Sequence, residues 1–212
     1  MVKKTRDAAL ETRSALLDAA LLEFRERGVA HTRLSDVASR AGVTRGAVYW
    51  HFKDKAELFQ AVCDRGTMPV EALLEEASRT PQTDPLDTVR RLAVMALTQL
   101  ARDVHTQAIF DVLFHKCEFT AELAPVMTKN DADRRECLGR VQQLLDQAVA
   151  IGQLPAGTDT FLATQGIHAF MVGLMHEWVL NPEVYDLGNS ANRLVNTFIA
   201  GLQHAAPQLT PP

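Results

Sequence analysis

A chain of 212 residues, 47% hydrophobic and 23% charged, is long enough for a core in one or two bodies and has the composition of an ordinary globular protein, which excludes disorder and fibrous repeats. Aromatic residues, at 6%, are sparse. The net charge of −4 hides an asymmetry, with 11 Lys and Arg against 8 Asp and Glu in residues 1–60 and 11 against 18 in the remainder, so a polyanionic partner is expected for the first third alone.

Every long segment shows helical spacing and none sustains period-two alternation, which predicts an all-α chain of about nine helices. The organisation expected is a three-helix N-terminal domain over 1–55 and a larger helical domain over 56–212. The first helix spans about 7–27, with an apolar stripe of Ala9, Leu16, Leu17, Ala20, Leu21 and Phe24 and Gly28 as its stop. Charges at Glu11, Arg13 and Asp18 interrupt any leader-type apolar stretch. Two short helices fit 34–40 and 45–51, and a longer one runs from 55 to about 78, bent at Gly66 and Pro69. Residues 80–85 are a break, after which Asp84 caps and Pro85 opens the next helix. Helices follow at about 86–102, 104–116 and 121–151, a loop at 152–160, a helix at 160–180, a loop at 181–189 and a last helix at 191–204, with a frayed tail from Ala205. The longest apolar run, 169–175, falls far short of the ~20 residues of a membrane span.

Residues 32–52, TRLSDVASRAGVTRGAVYWHF, are the informative stretch. Val37, Ala38 and Ala41 give the first short helix an inner face, Gly42 supplies the φ > 0 of a tight helix–helix turn, Val43 plugs the corner and Thr44 caps the second helix. Arg45 and Gly46 then stand at a helix N-terminus, where a helix-turn-helix presents side chains to base edges, and compact Ala47 and Val48 let the backbone approach the groove. Tyr49, Trp50, His51, Lys53 and Lys55 follow within two turns as hydroxyl, indole, imidazole and ammonium donors for phosphates. In an ordinary helix hairpin the same aromatics would merely pack; their mixture with cations favours a DNA clamp.

The run AGVTRGAVYWHFKDKAELF at 41–59 resembles the N-terminal domain of TetR-family repressors, a likeness extending over about 6–62, and within that family the subgroup controlling multidrug efflux pumps. The runs FHKCEF at 114–119 and GLMHEW at 173–178 resemble the same subgroup. The resemblance implies that Arg45 reaches a base in the major groove, that Thr44, Tyr49, His51 and Lys55 hold phosphates, and that Trp50 also touches the backbone. Position 33, often a small hydroxyl residue in the family, is Arg33 here, so Thr32 is expected to cap the helix at 34–40 while Arg33 offers a charged phosphate contact. It further implies a cytoplasmic homodimer bound to double-stranded operator DNA and released by a small apolar effector, with no membrane and no cofactor.

The helix at 160–180 is apolar almost all round, the mark of burial on more than one side. At about 100° per residue, Gly166, Ala169 and Gly173 fall on one side and His168, Val172, Met175, His176 and Val179 on the other. The small residues admit close backbone approach, so that side is expected to meet a symmetry-related helix, with Leu194, Val195, Phe198 and Leu202 completing the dimer interface; the resemblance implies the same arrangement. The other side, with Phe110 and Phe114 one turn apart and Leu92, Ala96 and Val141 on other helices, could line a cavity for bulky apolar ligands in which His168 and His176 are the polar groups. Each of these residues is equally at home in a plain core.

Other chemistry has little to stand on. The sequence HEWVL at 176–180 begins like a zinc-protease HExxH helix but carries Leu180 where the second ligand belongs. His115, Cys117 and Glu118 do not share a helix face, so no metal site is expected there. Phosphate-binding glycine loops, nucleophile elbows and paired cysteines are all missing, which argues against an enzyme. The alternative is a redox-sensing regulator acting through Cys63, Cys117 and Cys137, of which only Cys117 has an adjacent cation, Lys116. Three irregularly spaced cysteines do not form a disulfide framework and fit a reducing cytoplasm.

Overall fold

The computed structural model describes residues 2–66, 69–118 and 120–209. Among them the chain forms α1 (Val2–Arg27), α2 (Leu34–Arg40), α3 (Arg45–His51), α4 (Lys55–Asp64), α5 (Pro69–Arg79), α6 (Pro85–Arg102), α7 (Val104–Asp111), a π-helical turn (Val112–Lys116), a 3₁₀ turn (Ala121–Leu123), α8 (Ala124–Ala150), α9 (Thr160–Leu180) and α10 (Leu187–Ala205). The described residues contain no strand, only an isolated bridge between Thr158 and Gln208. The all-α expectation is met. They divide into two compact units, one holding the described residues of 1–67 and 105–130, the other those of 68–104 and 131–212.

In the first unit α1 buries Leu16, Leu17, Ala20, Leu21 and Phe24, as its stripe predicts, while Ala9 is only half-buried. The Phe24 ring meets Phe59 of α4 edge-on at 5.6 Å. Gly28, at φ +81°, ends the helix by sending its N–H to the Phe24 carbonyl at 2.9 Å. Buried Glu23 then ties α2 down, accepting from Arg40 Nε at 2.6 Å and pairing with Arg27 at 3.2 Å, while Arg40 also reaches Glu26. Gly42 turns the chain at φ +68°, and the Val43 N–H closes on the Ala38 carbonyl at 3.0 Å. Val37, Ala38, Val48 and Phe52 complete the core beneath α2 and α3. The helix expected from 55 to 78 is two helices, α4 ending where the Gly66 N–H turns back to Cys63 O at 2.8 Å.

In the second unit Asp84 caps α6 through the Asp87 N–H at 2.9 Å, with Pro85 in its first turn, as expected. α6 lies along α10, close enough for a Cβ at Gly188 to stand 3.5 Å from Ala101 Cβ. α10 begins at Leu187, inside the stretch predicted as a loop, because Asp186 accepts the Asn189 N–H at 2.9 Å and Leu187 is fully buried. The loop before it is closed by the Trp178 indole donating to Tyr185 O at 3.0 Å. The tail does not fray at 205 as expected: Ala206 is buried, Asp159 N–H donates to Pro207 O at 2.7 Å and Leu209 N–H to Gly157 O at 2.9 Å. Residues 210–212 lie outside the described residues. No helix of the described residues is long and apolar enough to cross a membrane.

Candidate nucleic-acid interface

The first unit presents α3 outward. Thr44 caps it, its hydroxyl oxygen accepting the Ala47 N–H at 3.2 Å, which leaves the hydroxyl proton for an external acceptor. Val48 is the inward anchor, fully buried, whereas Thr44, Arg45, Gly46, Tyr49 and Trp50 are exposed. Trp50 is 72% exposed, so it does not pack as an ordinary hairpin aromatic would; its ring stands edge-on to His51 at 4.5 Å. The Arg45 guanidinium lies 5.4 Å from the Tyr49 ring centroid and donates to its hydroxyl at 3.1 Å. A Cβ at position 46 would meet nothing closer than the Thr44 hydroxyl at 3.8 Å, so the space beside Gly46 is open.

Beside α3 runs a groove of about 520 Å³ lined by Thr32, Arg33, Leu34, Ser35, Arg45, Tyr49, Lys53, Asp54, Lys55 and Glu122. Arg33, Arg45 and Lys53 are exposed on it. Thr32 and Lys55 are not. The Thr32 hydroxyl is buried and spends its proton on the Gly28 carbonyl at 2.8 Å. The cap of α2 is therefore Arg33, not Thr32 as expected: no side chain caps its first amides, and the Asp36 carboxylate takes the Arg33 N–H at 3.1 Å. Lys55 is buried along its stem, its ammonium 3.0 Å from the Ala30 carbonyl and 3.0 Å from Glu122. His51 is half-buried, and burial, followed by the charge of Arg13, pushes its pKa below the usual histidine value. Arg13 lies over the Phe52 ring at 5.2 Å.

Sequence reasoning missed Glu122, Leu34, Ser35 and Asp54. The last three lie within two residues of positions already singled out, but Glu122 lies far along the chain and no spacing rule could have brought it here. The 114–119 run falls partly on the π-helical turn, with the Phe110 and Phe114 rings 5.4 Å apart; Phe119 lies outside the described residues. Phe110 and Phe114 belong to the first unit, whereas Leu92, Ala96, Val141, His168, Val172, Met175 and His176 belong to the second. There Ala96 and Met175 are buried and the other five half-buried.

Of the residues expected at the dimer face, Ala169 and Gly173 are exposed and Gly166, Leu194 and Phe198 are half-buried. Val195 and Leu202 correct the expectation: at 2% and 6% exposure they sit in the core beneath α10, because its apolar stripe is used against the helices of its own unit. The cysteines carry no sign of a thiolate sensor. Burial pushes Cys63 up to about 12 and raises Cys117 and Cys137 as well.

Comparison with known proteins agrees with this geometry. Residues 16–62 match the model of the bacterial regulatory proteins of the tetR family, and residues 84–204 match the C-terminal region of the MAATS-type transcriptional repressors. The chain belongs to the TetR family. This TetR-family chain is 37% identical over 197 residues to the HTH-type transcriptional regulator TtgR of Pseudomonas putida, covering 93% of itself and 94% of that relative. It also resembles the crystal structure of NalD, the secondary repressor of the MexAB-OprM multidrug efflux pump in Pseudomonas aeruginosa, with TM-score 0.84 and 32% identity over 94% of this chain and 99% of that one. The complex of SmeT, from Stenotrophomonas maltophilia, with triclosan matches with TM-score 0.79 and 30% identity, over 95% of this chain and all of that one.

Proposed function

We propose that this chain is a homodimeric repressor of a multidrug efflux operon and of its own gene, working in the cytoplasm and released from a pseudo-palindromic operator by bulky apolar molecules. The observation that carries the reading is α3, whose exposed N-terminal turn holds Arg45 against Tyr49 beside a groove rimmed by Arg33 and Lys53, with Lys55 buried at its wall. Arg45 reads a base edge, and Arg33, Thr44, the backbone at Gly46, Tyr49, Trp50, His51 and the Lys55 ammonium hold phosphates. Thr32 and Lys55 form the inner wall of the groove.

Support for efflux control comes from NalD and SmeT, and the triclosan complex of SmeT favours an apolar, drug-like effector. The residues of the second unit proposed to line its site are Leu92, Ala96, Val141, His168, Val172, Met175 and His176. A dimer is favoured by the open face at Ala169 and Gly173, flanked by Gly166, Leu194 and Phe198.

A nuclease footprint on the DNA upstream of its own gene, with sedimentation of the free protein, tests the reading. Two protected half-sites about 34–36 Å apart or at a multiple of that spacing are expected, from a protein that is dimeric at about micromolar concentration. A monomer without a footprint would sink it.

A further inference from the structure

The groove beside α3 already holds an anion. Glu122, presented by the 3₁₀ turn, puts Oε2 3.0 Å from Lys55 Nζ, in a groove otherwise rimmed by Arg33, Arg45 and Lys53. The other carboxylate there, Asp54, accepts the Glu57 N–H at 2.8 Å as the cap of α4. Glu122 is half exposed, yet its turn is fixed: Leu123 is fully buried and its N–H closes on Thr120 O at 3.0 Å. Lys55 is only 10% exposed and already gives one of its three protons to Ala30 O. A phosphate arriving at so confined an ammonium meets the carboxylate at close range. Two like charges cannot share the place without a cost that grows as water is excluded.

From this geometry we infer that Glu122 is a built-in competitor for a DNA phosphate: its carboxylate occupies the phosphate position on Lys55 in the free protein and is displaced when the operator binds. The inference rests on the operator-binding reading above. It makes the turn at 121–123 a second determinant of affinity, because its position sets whether Lys55 is open to DNA.

The test is operator affinity as a function of salt for the wild-type chain, Glu122→Gln, Lys55→Met and the double variant, each checked for folding by thermal melting. Relieving a half-exposed ion pair should make Glu122→Gln bind about fivefold tighter near about 100 mM salt, with a slope of log K on log salt steeper by up to about one. In the Lys55→Met background the same change should alter neither quantity. Glu122→Asp, which keeps the charge but withdraws it, should fall between wild type and Glu122→Gln. Equal or weaker binding by Glu122→Gln overturns the inference, and so does an equal gain without Lys55, which would mark a general charge effect. If the wild-type chain binds no operator, the repressor reading falls; if it binds and the variants match it, only the role of Glu122 does.

Discussion

Arg45 owes its value as a reader to being held before DNA arrives. Its guanidinium lies against the Tyr49 ring and is bonded to the hydroxyl, so less side-chain freedom remains to be lost on binding. Arg45→Ala should lose about 1–3 kcal/mol of discrimination at one base pair, measured across operators changed one position at a time. A uniform loss at every position would assign Arg45 to the backbone. Two histidines make a different kind of prediction. Burial first, then Arg13 for His51 and Arg134 for His168, lowers both pKa values below the ordinary one. The unfolded chain then binds more protons than the folded one, so the stability these neutral rings contribute is complete above about pH 6.5 and is lost as pH falls through their folded values. The thermal midpoint should drop between about pH 7 and about pH 5, and His168→Gln should make that drop shallower; an unchanged pH profile would dismiss His168 as a contributor.

At the scale of elements, the reading head depends on two local devices at the turn between α2 and α3. Thr44→Ala removes the hydroxyl that takes the Ala47 N–H and should cost about 1 kcal/mol. Gly42→Ala meets no atom within 4 Å but must adopt φ +68°, a strain of order 1–3 kcal/mol. Denaturant titration of both variants separates cap from strain. Both devices were legible in the sequence because each acts within four residues, as do the Gly28 stop and the Asp84 cap. What escaped was of longer range or depended on a choice between faces. The start of α10 was hidden because Asp186 reads as a loop residue until Leu187 is seen to be buried. Periodicity put Val195 and Leu202 on an apolar stripe but could not say which partner the stripe meets, and it is α10's own unit. The π-helical turn at 112–116 continues directly from α7, and no side-chain cap or helix-breaking residue at the junction marks it in the sequence. Lys55 was legible as a cation beside α3, but the Glu122 that occupies it was not.

The whole molecule is where the proposed dimer and switch act. Gly173 is exposed and a Cβ there would have no neighbour within 4 Å, so Gly173→Arg should leave the protomer folded while separating the pair. Sedimentation should then show a monomer and the footprint should weaken; a stable Gly173→Arg dimer would move the interface elsewhere. The N-terminal end of α9 is completed by residues 207 and 209, about fifty positions further along the chain. Asp159 caps α9 with its side chain, while its own N–H and the carbonyl of Gly157 are bonded to Pro207 and Leu209. On the ribosome α9 can therefore coil as soon as it emerges, while its first turn stays unlatched until residue 209 is out. A chain cut after Ala205 should keep its helices yet open first at that end, with rapid amide exchange at Asp159 as the mark of a clasp that never closed.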